Sequence, residues 1–434
     1  MNQLLKVSIS TVLLALMAST NAVLAEDLEA AWREALGSDQ LIQATRSRVN
    51  AAQADLEAAR SNRLPSVSAT AGITRFDDAP AFDFSAAGVP AVLPLFGGDS
   101  MTLADARVTL PIYTSGRVAR GIDAAEATLS ARQHQSSVST QAIKLAVAEH
   151  YINVLRANSA LTVADSNVKS LTAHVRDAED MLKSGSVARN DYLAAAVSLA
   201  DSEQRRLQAS NQLNLARAAY NRALGRRLDA PVNLDDELPD IDPALDLSSL
   251  EILTEAALRS REELRGLDAT AEAYRHQAAS TRASARPQIA LTGGYVALEN
   301  DFLNRDEFWM VGVGVQWNLF DGGKARKKAS ALSFHSNAIT QERNNLRSLI
   351  ELQVRQAWLR LNETTERKRL TERAVEQAEE NLRVVRDRYR NGEGTNTEVL
   401  DAETLRSLSR SNYDNADFDA KLALYELARG AGRL

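Results

Sequence analysis

The sequence predicts a mostly α protein with a small β part: long coiled-coil helices plus four strands per chain, with the whole layout written twice. Three observations predict it. Segments of the first half recur in the second at a nearly fixed offset, as when "PIYTSGRVARGIDAAEA" (from Pro111) returns as "NLFDGGKARKKASALS" (from Asn318). None of the nine prolines lies in 112–230 or 288–434, and proline costs a helix interior about 3 kcal/mol, so these stretches can hold very long helices. Four short runs beside the prolines alternate apolar and polar residues with period two, the pattern of a strand between two environments.

The repeat comes first, because missing it would misassign the whole fold. "RLPSVSATAG" (from Arg63) resembles "ARPQIALTGG" (from Ala285), and "KSGSVARNDYLAA" (from Lys183) resembles "RNGEGTNTEVLDA" (from Arg390). Tyr113 and Phe320 lie 207 apart, as do Gly185 and Gly392, whereas Pro65 and Pro287 lie 222 apart. The first copy therefore carries extra residues between its strands, in the Pro- and Gly-rich "DDAPAFDFSAAGVPAVLPLFGGDS", which reads as a long loop.

The opening, "MNQLLKVSISTVLLALMASTNAVLAED", has one charge, an apolar run from Val7 to Met17 and small residues at Val23-Leu24-Ala25. It reads as a signal peptide over 1–25; the run is too short to span a bilayer. The first copy covers 26–225: a helix, strands at about 66–76 and 101–113, a long helix over 116–184 and a helix over 188–224. A linker follows at 226–249. The second copy covers 250–434: a helix, strands at about 288–297 and 308–319, a long helix over 324–391 and a helix over 396–430. Gly185 and Gly392 mark the turns of the two helical hairpins.

The long helices carry heptads. Val147, Val154, Leu161, Val168, Val175 and Leu182 recur at seven, with Ala157, Ala164, Leu171 and Ala178 on the second row. Moved by 207, the set becomes Val354, Leu361, Lys368, Val375, Leu382 and Tyr389. A strict heptad imposes left-handed supercoiling. Gly116 to Gly185 is about 70 residues, or ~100 Å at 1.5 Å rise per residue, which suits a rod or tube rather than a compact domain.

The fourth strand, "FWMVGVGVQWNLF", puts Trp309, Val311, Val313, Val315, Trp317 and Leu319 on one face and small or polar residues on the other. Eight residues separate the tryptophans, ~26 Å along a strand. With a ~40° tilt that approaches the apolar band of a membrane barrel, with its aromatic girdles at both interfaces. The chain lacks any apolar helix of ~18 residues, so the strands are its route into a membrane. Four strands cannot close a barrel, and an open edge in hydrocarbon leaves N–H and C=O groups without partners. Other subunits must complete it.

Several functions are excluded or set aside. With no cysteine there is no disulfide, thiol nucleophile or N-terminal lipidation. A formal charge of −6 gives no case for nucleic acid. Gly312-x-Gly314 is followed by Trp317 where a dinucleotide loop needs glycine, and "DGGKA" lacks the upstream glycine and Ser/Thr of a phosphate loop. His134, His150, His174, His276 and His335 have no metal-ligand spacing. No catalytic constellation is visible, so no enzyme, metal or cofactor is expected. The basic run from Lys324 to Lys328 directly follows the fourth strand, which suits a membrane–periplasm junction.

The duplicated layout resembles the TolC family of outer-membrane channel-tunnels. The most specific matches are "YRNGEGTNTEVLDAE" (from Tyr389) and "WNLFDGG" (from Trp317). The resemblance implies a homotrimer, with four strands per subunit in a 12-stranded outer-membrane β-barrel and the helices forming a periplasmic α-barrel. It also implies passive export, in a tripartite efflux pump or type I secretion system, of substrates delivered by an inner-membrane pump and a periplasmic adaptor. Residue by residue, the family's gate carboxylates fall on Glu398 and Asp401 and its gate tyrosine on Tyr389, while Gly394 stands where the family has a gating arginine. The residues themselves leave alternatives open. Thr395-x-x-Glu398 is also a capping box, Tyr389 sits on the heptad seam where it could simply pack, and a periplasmic coiled-coil rod remains the competing reading of the whole chain.

Overall fold

The computed structural model describes residues 25–85, 88, 90–94, 99–239, 249–298 and 305–434. The signal-peptide reading and the middle of the linker lie outside the described residues. Eight helices and six strands follow in the order α1 (Leu28–Ser38), α2 (Gln40–Ser61), β1 (Ser66–Arg75), β2 (Ala81–Asp83), β3 (Val92–Pro94), β4 (Ser100–Tyr113), α3 (Arg117–Lys183) and α4 (Arg189–Ala223). Then come α5 (Leu250–Ser260), α6 (Glu262–Ala283), β5 (Gln288–Leu298), β6 (Glu307–Gln316), α7 (Lys324–Arg390) and α8 (Asn396–Gly430). The helices match in pairs: 11 residues in α1 and α5, 22 in α2 and α6, 67 in α3 and α7, 35 in α4 and α8. Equal lengths at each step mean that the two copies share one backbone plan.

The turns explain how the helices stop. Gly185 and Gly392 both have φ 77°, the left-handed region that costs a Cβ-bearing residue about 1 kcal/mol or more. Each reverses the chain so that α4 packs along α3, and α8 along α7. Val147, Val154, Leu171 and Ala178 are buried on α3, and Val354, Val375, Ala378, Leu382 and Tyr389 on α7, along the expected seam. Lys368 breaks that seam, and its Nζ meets Asp417 of α8 at 2.6 Å.

The chain preceding each first strand divides into two helices where the sequence reads as one. The break falls at Asp39 in the first copy and Arg261 in the second, both with extended backbone. The reason is the helix that returns from the hairpin tip. Ser38 Oγ donates to Leu224 O at the end of α4, and Ser260 Oγ donates to Ala431 O at the end of α8, both at 2.6 Å. The short helix steps aside, and the returning helix abuts the next one end to end. Arg261, almost fully buried, seals the second junction by donating to Gly430 O at 3.1 Å and pairing with Glu263.

These junctions sit in the main apolar core. Leu28, Ala31, Tyr151, Ile152, Tyr220 and Leu224 cluster in the first copy, and Leu253, Ala257, Ile350, Val354 and Leu427 in the second. The linker is bound here, not free. Tyr151 Oη lies 2.6 Å from Glu26 O and 2.8 Å from Asp235 O, and Tyr425 Oη donates to Pro239 O at 2.9 Å.

At the far end, the four long strands form one antiparallel sheet in the order β1-β4-β5-β6. The segment read as a plain loop contains a small ribbon, β2 paired with β3. β6 ends at Gln316, short of the expected 319, because the chain turns through Gly322 and Gly323, both with positive φ, into α7.

Candidate functional site

Two regions carry chemistry that a folded domain alone would not need: the sheet and the hairpin tips. The sheet registers put like with like. Val67 faces Val108, Ala69 faces Ala106, Leu110 faces Leu291 and Leu291 faces Val313. Tyr295 faces Trp309, with ring centroids 5.1 Å apart. One face is thus apolar from strand to strand across the sheet, and nothing among the described residues covers it. Trp309 is 79% exposed, Val311 81% and Trp317 56%. A water-soluble sheet would bury this face, because each large apolar side chain gains ~1.5–3 kcal/mol on burial. The other face carries Ser68, Thr70, Thr109, Thr292, Gly312 and Gly314, with Asp105 and Arg107 as a loose pair at 3.8 Å. No helix among the described residues is long and apolar enough to cross a membrane.

Of the two interface aromatics, Trp309 lies in β6, whereas Trp317 lies just past it and donates through Nε1 to Ala285 O at 3.2 Å. The outer edges of β1 and β6 have no partner strand among the described residues.

At the tip, Thr395 and Glu398 form the capping box read in the sequence. Glu398 N donates to Thr395 Oγ1 at 3.2 Å, and Glu398 Oε2 accepts from Thr395 N at 2.9 Å. Glu398 is nevertheless exposed, and so is Asp401 one turn on. Asp401 makes no ion pair among the described residues. Tyr389 does not join them. It is 2% exposed, its ring lies 5.1 Å from the His174 imidazole, and burial pushes its hydroxyl above the usual range. In this structure Tyr389 packs against His174 of α3, in the first hairpin. Gly394 has a local reason as well: a Cβ there would come 3.0 Å from Tyr389 N and 3.3 Å from Glu398 Oε2.

Sequence reading missed the seam between the hairpins, where α3 meets α7 and α8. Glu403, 2% exposed, accepts from Ser170 Oγ at 2.7 Å and pairs with Arg386 and Arg406. His174 Nε2 lies 2.7 Å from Asn396 Oδ1, which places its proton on Nε2. Burial holds the His174 pKa below the ordinary imidazole value. Arg390 pairs with Asp177 at 3.0 Å. The partners that cross from α3, Ser170 to Glu403, His174 to Asn396 and Asp177 to Arg390, are more than 200 residues apart in sequence. The one signal available was a charged residue, Glu403, immediately after the seam residues Val399 and Ala402.

Long helical hairpins beneath a sheet with one bare apolar face are the subunit plan of an outer-membrane channel with a periplasmic tunnel. The family model for outer membrane efflux proteins matches residues 31–226 and 253–433, and the chain belongs to that family. It is 23% identical to outer membrane protein TolC of Vibrio cholerae, over 96% of this chain and 92% of that protein. Among solved structures, the outer-membrane channel OprN superposes with TM-score 0.78 at 19% identity, covering 94% of this chain and 90% of OprN. VceC of Vibrio cholerae gives 0.78 at 18% identity over 94% and 96%. The open-state MtrE channel of Neisseria gonorrhoeae gives 0.74 at 16% identity over 93% and 88%. The chain is an outer-membrane efflux channel.

Proposed function

We propose that three copies assemble into a 12-stranded barrel over a helical tunnel and give passive exit to substrates. An inner-membrane pump and a periplasmic adaptor would deliver them, in tripartite efflux or one-step secretion. The observation that carries the reading is the sheet: one face is predominantly apolar and bare, and both outer edges lack partner strands among the described residues. In hydrocarbon each unpaired backbone group costs several kcal/mol, so neighbouring copies must supply the missing strands and lipid the missing contacts. The protein is a conduit, and its working residues line and close a path rather than react.

The path is closed at the tip. Glu398 and Asp401 from three subunits place six carboxylates around one axis, which concentrates cations at the entrance. The double variant Glu398→Ala/Asp401→Ala is expected to lose cation preference in planar-bilayer recordings. Unchanged selectivity would remove the gate assignment. Recovery of the chain from the soluble periplasmic fraction without detergent would overturn the channel reading itself and favour a coiled-coil rod.

A further inference from the structure

The step from the sheet into each long helix is built the same way twice. Ile112-Tyr113 in the first copy and Leu319-Phe320 in the second stand exposed, with Phe320 at 86%. A left-handed glycine follows, Gly116 or Gly323, and then a cation starts the helix, Arg117 or Lys324. A second cation comes one turn later, Arg120 or Lys327. In the first copy these charges are engaged: Arg117 donates to Gln288 Oε1 at 3.3 Å, and Arg120 pairs with Asp123 at 3.2 Å. In the second copy Lys324, Arg326, Lys327 and Lys328 are all exposed, and none pairs with a carboxylate among the described residues. The chain as a whole has 57 acids to 51 bases, so this unpaired basic step does not follow from composition.

A cavity of about 400 Å³ opens at the second step, lined by Arg117, Lys324, Lys328, Ser280, Ser284 and Asp321. Asp321 also lines it and, being ionised, offsets one of the three cations. Its carboxylate accepts from Gly323 N at 2.8 Å and Ala325 N at 2.9 Å, which caps α7 and holds its pKa below the usual range. Two backbone N–H groups at the helix start are thus taken, and the attraction for anions comes mainly from the side chains. Immediately before them stand Trp317, Leu319 and Phe320, continuous with the apolar face of the sheet. A soluble anion would need no such greasy step beside it.

We propose that this step binds the phosphate headgroup of anionic phospholipid in the periplasmic leaflet, with Lys324 and Lys328 at the phosphate and Trp317, Leu319 and Phe320 among the acyl chains. Aromatic residues at the interface and cations just beyond it are the general anchors of membrane-crossing segments. The assignment rests on the reading of the sheet as part of a membrane barrel. It fixes the height of the barrel by the second copy of the repeat rather than by both.

The test uses the full-length chain carrying Trp309→Phe, which leaves Trp317 as the tryptophan in the sheet region. The chain is reconstituted into vesicles of phosphatidylcholine with brominated phosphatidylglycerol, or the reverse. Brominated phosphatidylglycerol is expected to quench Trp317 preferentially, by about thirtyfold in relative binding for two lysines near the headgroup. Lys324→Gln/Lys328→Gln should bring the ratio close to one. Equal quenching by the two lipids in the parent chain, or a preference that survives in the double variant, overturns the proposal. Loss of the preference on adding inorganic phosphate at constant ionic strength would assign the pocket to a soluble anion and overturn the lipid assignment. No quenching by either lipid would instead sink the barrel reading, and the proposal with it.

Discussion

Replacing Glu403 by alanine probes the seam between the two hairpins. The carboxylate sits on α8, receives Ser170 Oγ of α3 at 2.7 Å, and balances Arg386 of α7 and Arg406 of α8. Glu403→Ala leaves both guanidinium groups without that carboxylate. Removing one partner of a buried ion pair costs about 3–5 kcal/mol. The side chains of Arg386 and Arg406 keep 27% and 18% of their exposure and can turn partly to water. The expected loss is therefore at the lower end, ~3 kcal/mol. Both arginines lie on α7 and α8, so most of that loss falls within the second hairpin, and the Ser170 hydrogen bond to the carboxylate, worth about 1.5 kcal/mol, is the part lost between the hairpins. At ~1.4 kcal/mol per tenfold, separation of the hairpins becomes about tenfold more populated. Single-channel recordings in planar bilayers read this as increased open time, and chemical denaturation reads it as lost stability. Glu403→Gln keeps an acceptor for Ser170 and is expected to fall between the two. An alanine variant that unfolds within ~0.5 kcal/mol of the parent and gates like it would refute the claim that the buried Glu403 carboxylate orders the second hairpin and its contact with α3.

Four further substitutions test the same geometry. Val313→Arg places a cation on the lipid face and is expected to destabilise the inserted barrel by ~2–4 kcal/mol. Gly314→Ser, on the opposite face with nothing within 4 Å of its Cβ position, is expected to be tolerated; heat-modified mobility of the oligomer checks both. His174 has a folded pKa below its unfolded value, so the unfolded state binds the proton more readily. Stability is then full above pH ~6.5 and falls as pH drops below the unfolded pKa. Arg386 opposes protonation while Asp177 and Glu403 favour it. His174→Gln should flatten that pH dependence in thermal melts. Gly432→Ala adds a Cβ 2.7 Å from Ser260 Oγ at φ 71° and is expected to cost ~1–3 kcal/mol by breaking the junction between α8 and α6.

Much of the layout is legible because its causes are local. Proline-free stretches, heptads and left-handed glycines act within a few residues, so helix lengths and hairpin turns can be read directly. The alternating strands are legible for the same reason, since Trp309, Val311 and Val313 share a face by backbone geometry alone. The capping box at Thr395 and Glu398 spans three residues and is equally visible. The break at Asp39 and Arg261 is not legible, because it exists to admit helices that return from the tip, and Ser260 meets Ala431 only after the chain has folded.

By itself the sequence determined the duplication, the long helices, the two-faced strands and the need for partner strands, since each follows from short-range sterics and from hydrogen-bond demand in hydrocarbon. Only the tertiary structure decided which polar groups meet across the hairpins. It buried Tyr389 against His174, placed Glu403 between Ser170 and two arginines, and left Glu398 and Asp401 on the surface. Those contacts join residues on different helices, and their energies depend on burial that no single helix creates.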